Sequence, residues 1–216
     1  MRRLLLAALA LAAGCGGAPD PELAGDQAYA AGRYAQAQAA YEQALQHRAS
    51  GRLLAKEAGA ALHAGDRTAA AAAYARLGAE DPTRVDEAAD GLDAVAHAAE
   101  LAGDQPALER SVLGLHGIAP TRPVLRYAVA VARDTALAPA DALGILPSAL
   151  AAADDPRAVD TLTVRYGQAL SATAACEDAA SAFRAVLRRS ADSGLRHSAT
   201  AGLAGCSLRL ALAAQS

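Results

Sequence analysis

The chain has 216 residues, with no asparagine, no tryptophan, one lysine (Lys56), one phenylalanine (Phe183) and six tyrosines, so aromatics make up 3% of it. Strands draw on β-branched and aromatic side chains, and their scarcity argues against a sheet protein. The hydrophobic fraction of 53% rests largely on alanine. Alanine is the best helix former, so the composition predicts an all-α protein with helices packed closely through small side chains. Positive charge is scarce too: 20 Lys and Arg face 23 Asp and Glu, for a net charge of −3. Phosphate binding needs clustered positive charge, so the balance argues against a nucleic-acid partner. The five histidines, His47, His63, His97, His116 and His197, are scattered without metal-ligand spacing, and no Cys-x-x-Cys pair occurs. The few serines occupy no nucleophile turn, and no glycine-rich loop suits a phosphate. The reading is therefore of no metal, no cofactor and no enzyme.

Cysteine is sparse as well, with three residues: Cys15, Cys176 and Cys206. The first follows a short apolar run. Arg2 and Arg3 supply a positive start, Leu4 to Ala12 an apolar stretch, and Ala13-Gly14 the small residues that precede a cleavage site. Such a run is too short to span a bilayer, which takes about 20 apolar residues. Residues Leu11-Ala12-Ala13-Gly14-Cys15 resemble the bacterial lipobox, with Ala12 at the position where that motif prefers leucine. The resemblance implies cleavage before Cys15, diacylglyceration of its thiol and acylation of the new amino terminus. Gly16 in place of aspartate implies the periplasmic face of the outer membrane. Residues 1–14 then read as a lipoprotein signal peptide and 15–21, with Gly16, Gly17, Pro19 and Pro21, as the lipidated cysteine and a flexible tether.

The remainder, 22–213, repeats itself. The segment GRYAQAQAAYEQAL, Gly32 to Leu45, returns as GDRTAAAAAYARLG, Gly65 to Gly78, with Tyr41 and Tyr74 in register. Repeats of this length mark a solenoid, in which each unit buries its apolar face against its neighbours. Gly25, Gly32, Tyr34, Ala37, Tyr41, Ala44 and Leu45, then Gly65, Ala70, Tyr74 and Pro82, then Gly167, Ala179 and Phe183, resemble the tetratricopeptide repeat. That resemblance implies a right-handed α-solenoid of about five helical hairpins, near 22–50, 51–83, 84–120, 121–156 and 157–191, plus a capping helix from Gly194 to Ala213. The third and fourth units depart from the pattern, with Leu108 and Val112 at the small and aromatic positions and Pro147 expected to interrupt a helix. Tyr41, Tyr74 and Phe183 are expected as interlocking core aromatics.

First helices line the inner groove of such a solenoid. By position these are expected to present Asp26, Tyr29, His63, Asp90, His97, Arg126, Arg133 and Gln168, a mixed-charge surface suited to a protein or peptide. With Cys15 acylated, Cys176 and Cys206 remain in an oxidising compartment and are expected to pair as a disulfide, the alternative being two buried thiols that never meet. The function read from these features is a lipid-anchored periplasmic scaffold for protein–protein interaction in the envelope, with a helper in outer-membrane or pilus assembly as the runner-up within that class, by analogy. The alternative is a periplasmic binder of a small ligand or cell-wall fragment.

Overall fold

In a computed structural model of the chain, residues 20–122, 125–132 and 137–215 are described. Cys15 and the leader lie outside them, as does Arg133, and the side chain of Arg126 is likewise outside the description. The elements are helical throughout: α1 (Pro21–Ala30), α2 (Tyr34–His47), α3 (Gly51–Ala64), α4 (Arg67–Glu80), α5 (Val85–Ala102), α6 (Gln105–Ile118), α7 (Leu125–Ala132), α8 (Pro139–Ala152), α9 (Pro156–Ala172), α10 (Cys176–Arg189) and α11 (Ser193–Ala213), with a 3-10 turn at Pro82–Arg84. Each helix packs on the next, giving an α-solenoid of five hairpins closed by α11. Among the described residues no helix is long and apolar enough to cross a membrane.

Local chemistry sets the helix starts. Asp66, Asp104 and Asp155 each accept a hydrogen bond from the backbone N–H three residues on, at 3.0, 3.2 and 2.7 Å, which satisfies a donor that the first helical turn leaves open. The turns inside the first, second, third and fifth hairpins share one geometry. Gly32, Gly65 and Gly103 sit there at φ of 70°, 85° and 67°, a region that glycine enters without a Cβ clash. In the fifth hairpin the equivalent residue is Ala174, at φ 66°, and the backbone bonds match: Ala175 N–H donates to Leu170 as Asp66 N–H does to Ala61. A left-handed alanine carries strain of about 1–2 kcal/mol, partly offset because it has less freedom to lose than glycine. Ala174→Gly is expected to stabilise the chain by up to about 1 kcal/mol, read as a higher urea midpoint at unchanged slope.

The aromatics seat on glycines. A Cβ added to Gly25 would lie 2.5 Å from the Tyr41 ring, and one on Gly167 2.7 Å from Phe183. Phe183 is held from its other side by Gly202 of α11, and Tyr74 rests on Gly91 of α5. Without a Cβ these glycines let helix and ring approach more closely than alanine would. Tyr41 and Phe183 are buried as expected, whereas Tyr74 is only half-buried. The third and fourth hairpins fill the same space differently. Leu108, Val112 and Ile145 are buried together with Tyr127, a core aromatic that the repeat pattern did not point to.

One expectation is corrected. Pro147 does not interrupt α8, which runs through it from Pro139 to Ala152. The ring is exposed, so the carbonyl left without a helical donor lies on the side where water can serve it. The departure from pattern shows instead at the junction: among the described residues, α6 meets α7 more sparsely than other consecutive helices meet.

Candidate interaction groove

Residues one repeat apart stack on successive first helices. Glu22 and Asp26 of α1 precede Lys56 of α3 by 34 and 30 positions, so the period that builds the solenoid also brings their charges together. Lys56 Nζ donates to both Asp26 oxygens, at 2.7 and 2.8 Å, and to Glu22 Oε1 at 2.9 Å. It lies 5.7 Å from the centre of the Tyr41 ring, whose hydroxyl donates to Asp26 Oδ1 at 2.7 Å. Arg52 and Arg48 reach the same Glu22, at 3.0 and 3.4 Å. Asp26, Tyr41, Arg52 and Lys56, with Tyr29, Arg84 and Glu87, surround an open recess of about 440 Å³.

The electrostatics follow from that pairing. The hydrogen bond from Lys56 holds the Glu22 carboxyl below its ordinary range. Burial pushes Asp26 upward, but the bonds from Lys56 and Tyr41 outweigh it and leave Asp26 lowered as well. Burial would lower Lys56, yet Asp26 and Glu22 together hold it above its usual value. Burial and the neighbouring Asp26 push the Tyr41 phenol up, so it remains a donor. The recess is therefore charged but internally matched, and Lys56 stays an ammonium throughout the physiological range.

Beside it stands an aromatic trio. His63 stacks on Tyr34 at 4.9 Å between ring centres, and Tyr29 meets both edge-on, at 5.2 and 5.8 Å. Tyr29 and His63 are exposed, leaving ring surface available next to the charged recess. Such half-wet aromatics, apolar in body and polar at the tip, are common anchors for a partner chain.

The expected groove residues thus separate. Asp26, Tyr29 and His63 come together at α1 and α3. Asp90 instead accepts from Arg122 at 2.5 Å, beside Asp86 at 3.1 Å, and His97 is exposed farther along α5. Gln168 lines a separate recess of about 220 Å³ between α8 and α9 with Arg165 and Leu146. Arg165 also borders a third recess, of about 310 Å³, between α7 and α9. Lys56, Glu22, Arg52 and Tyr34 were not anticipated. Their signal was available: the chain's only lysine stands one repeat after two carboxylates.

Cys176 and Cys206 carry free thiols in this structure and are buried in one cluster. Among the described residues there is no group of three His, Cys, Asp or Glu side chains placed to hold a metal ion.

No protein-family model matches the chain, and no curated protein matches it. Among solved structures it is similar to the TPR2AB domain of yeast Sti1 in its complex with pHSP90, at 14% identity and a TM-score of 0.37, over 87% of this chain and 97% of that one.

Proposed function

We propose that the protein is a non-catalytic scaffold, anchored by lipid at Cys15 to the periplasmic face of the outer membrane, that holds a segment of another envelope protein against α1 and α3. The observation that carries this reading is the open recess around Lys56 with the Tyr29–Tyr34–His63 trio at its side, two of whose rings are exposed. Matched charges lining an open groove present hydrogen-bonding groups to a polypeptide, while exposed rings add apolar area at little conformational cost. The sequence resemblance to a lipobox supports the anchor. A small ligand fits the more apolar recess between α7 and α9, lined by Val129, Ala132 and Leu162, and that recess keeps the second reading in view.

The test is photo-crosslinking in cells, with the photoreactive residue placed at Tyr29 or at Arg184, which is exposed on α10. Discrete protein adducts are expected from Tyr29 and not from Arg184. Equal labelling from both positions would remove the groove from consideration. For the anchor, Cys15→Ser is expected to move the protein from the membrane fraction to the soluble fraction, and the wild-type amino terminus is expected to be an acylated cysteine. A terminus intact at Met1 would end the lipoprotein reading.

A further inference from the structure

Helix α11 ends the solenoid and packs on α10 and α9 through its first half. Of its 21 residues only Ala199 and Cys206 are buried, and every residue from 207 to 215 is exposed. Farther along, α11 also holds the turn between α9 and α10. Arg209 Nη1 donates to the Ser171 carbonyl at 2.6 Å, and the Cys206 thiol lies 3.3 Å from the Ser171 hydroxyl. Cys176 opens α10 on the far side of that turn, whose backbone folds tightly through Ala174 N–H to Ser171 O and Ala175 N–H to Leu170 O. The two thiols thus approach one turn from two helices, inside a cluster with Phe183, Val186 and Ala199.

We infer that Cys176 and Cys206 are a disulfide-forming pair whose bond staples α11 onto the last hairpin. Contact with Cys206 and burial push the Cys176 thiol above its ordinary range, while the Arg209 guanidinium pulls the other way by favouring the thiolate. Both cysteines are buried in the cluster that α9, α10 and α11 share. An oxidant therefore reaches them as the chain folds or as α11 lifts, and the finished bond is sheltered from reductants.

The oxidant is a disulfide, that of a thiol–disulfide oxidoreductase in the envelope or of oxidised glutathione in the tube. One protein thiolate attacks an oxidant sulfur, forming a mixed disulfide and releasing one oxidant thiol. The second protein thiolate then attacks the first protein sulfur, closing the Cys176–Cys206 bond and releasing the second oxidant thiol. Two S–H bonds are lost from the protein and one S–S bond is formed; the two electrons and two protons leave as the reduced oxidant. The inference does not depend on the groove or on its occupant.

The test uses the full chain carrying Cys15→Ser, so that two thiols remain, equilibrated with excess oxidised glutathione, unfolded in denaturant and labelled with a maleimide before and after reduction. The peptides bearing Cys176 and Cys206 are expected to stay unlabelled until reductant is added and to be linked to each other in the mass spectrum. Reductant is expected to lower the melting temperature of this chain by several degrees and to leave that of its Cys206→Ser derivative unchanged. Full labelling without reductant, or glutathione attached separately to each cysteine, would overturn the inference.

Discussion

Phe183→Ala is expected to unfasten the C-terminal end of the solenoid while leaving the N-terminal half folded. The ring is fully buried and seated between Gly167 of α9 and Gly202 of α11, so its removal empties the seam on both sides. Deleting a buried phenylalanine costs about 3–5 kcal/mol. In a chain this long each kcal/mol moves the melting temperature by about 2–4 °C, so a loss of about 10 °C is expected for the transition that includes α9 to α11. The damage should stay local, because α9 to α11 hold a core cluster of their own and α1 to α3 hold another. Solenoids of this kind behave as chains of neighbouring units, whose ends can open separately. Amide hydrogen exchange is the measurement: α10 and α11 should exchange faster and α1 to α4 at the wild-type rate. Uniform acceleration along the chain would mean that the solenoid unfolds as a single unit.

The second large effect has the opposite sign. Glu57, on α3, is 9% exposed, and its Oε2 is buried without a hydrogen-bond partner. Burial raises its pKa above the usual 4.5 and the nearby Glu42 adds to the rise, while Arg76 only partly counters it, being hydrogen-bonded to Glu80 at 3.2 Å. For a carboxyl whose folded pKa is raised, the unfolded chain ionises first as pH increases. Stability is therefore highest below about 4.5 and falls as pH climbs toward the folded pKa. Glu57→Met removes a buried polar group without a partner and is expected to stabilise the chain by about 1–3 kcal/mol at pH 7, with a smaller gain near pH 4. Urea unfolding at the two pH values checks this, and an equal gain at both would show that ionisation plays no part.

Asp26 and Glu22 respond to pH in the other direction. Their lowered pKa values mean that the stability they lend through Lys56 is present at neutral pH and lost as pH drops through their folded values. Glu57 and the Lys56 network therefore oppose each other in acid, although both belong to α3.

Much of this arrangement was legible in the sequence. The alanine-rich composition and the returning glycine and tyrosine positions are local or periodic features, and helix formation and hairpin spacing follow from local and periodic information. Gly25, Gly167 and Phe183 were readable for the same reason, because each recurs at a fixed place in a unit whose neighbours repeat it. Pro147 misled because a proline ends a helix only where its lost hydrogen bond cannot be replaced, and exposure is a property of the packed molecule.

By itself the sequence determined the all-helical class, the number of hairpins and the burial of two of their aromatics, since these depend on propensity and on residues close along the chain. Only the tertiary structure decided that Lys56 joins Glu22 and Asp26, that Tyr29, Tyr34 and His63 form one cluster, that Gln168 belongs to a different recess, and that Glu57 is buried without a partner. Those outcomes depend on the angle at which one hairpin stacks on the next, and that angle is set by the summed packing of many small side chains across each seam rather than by any one residue.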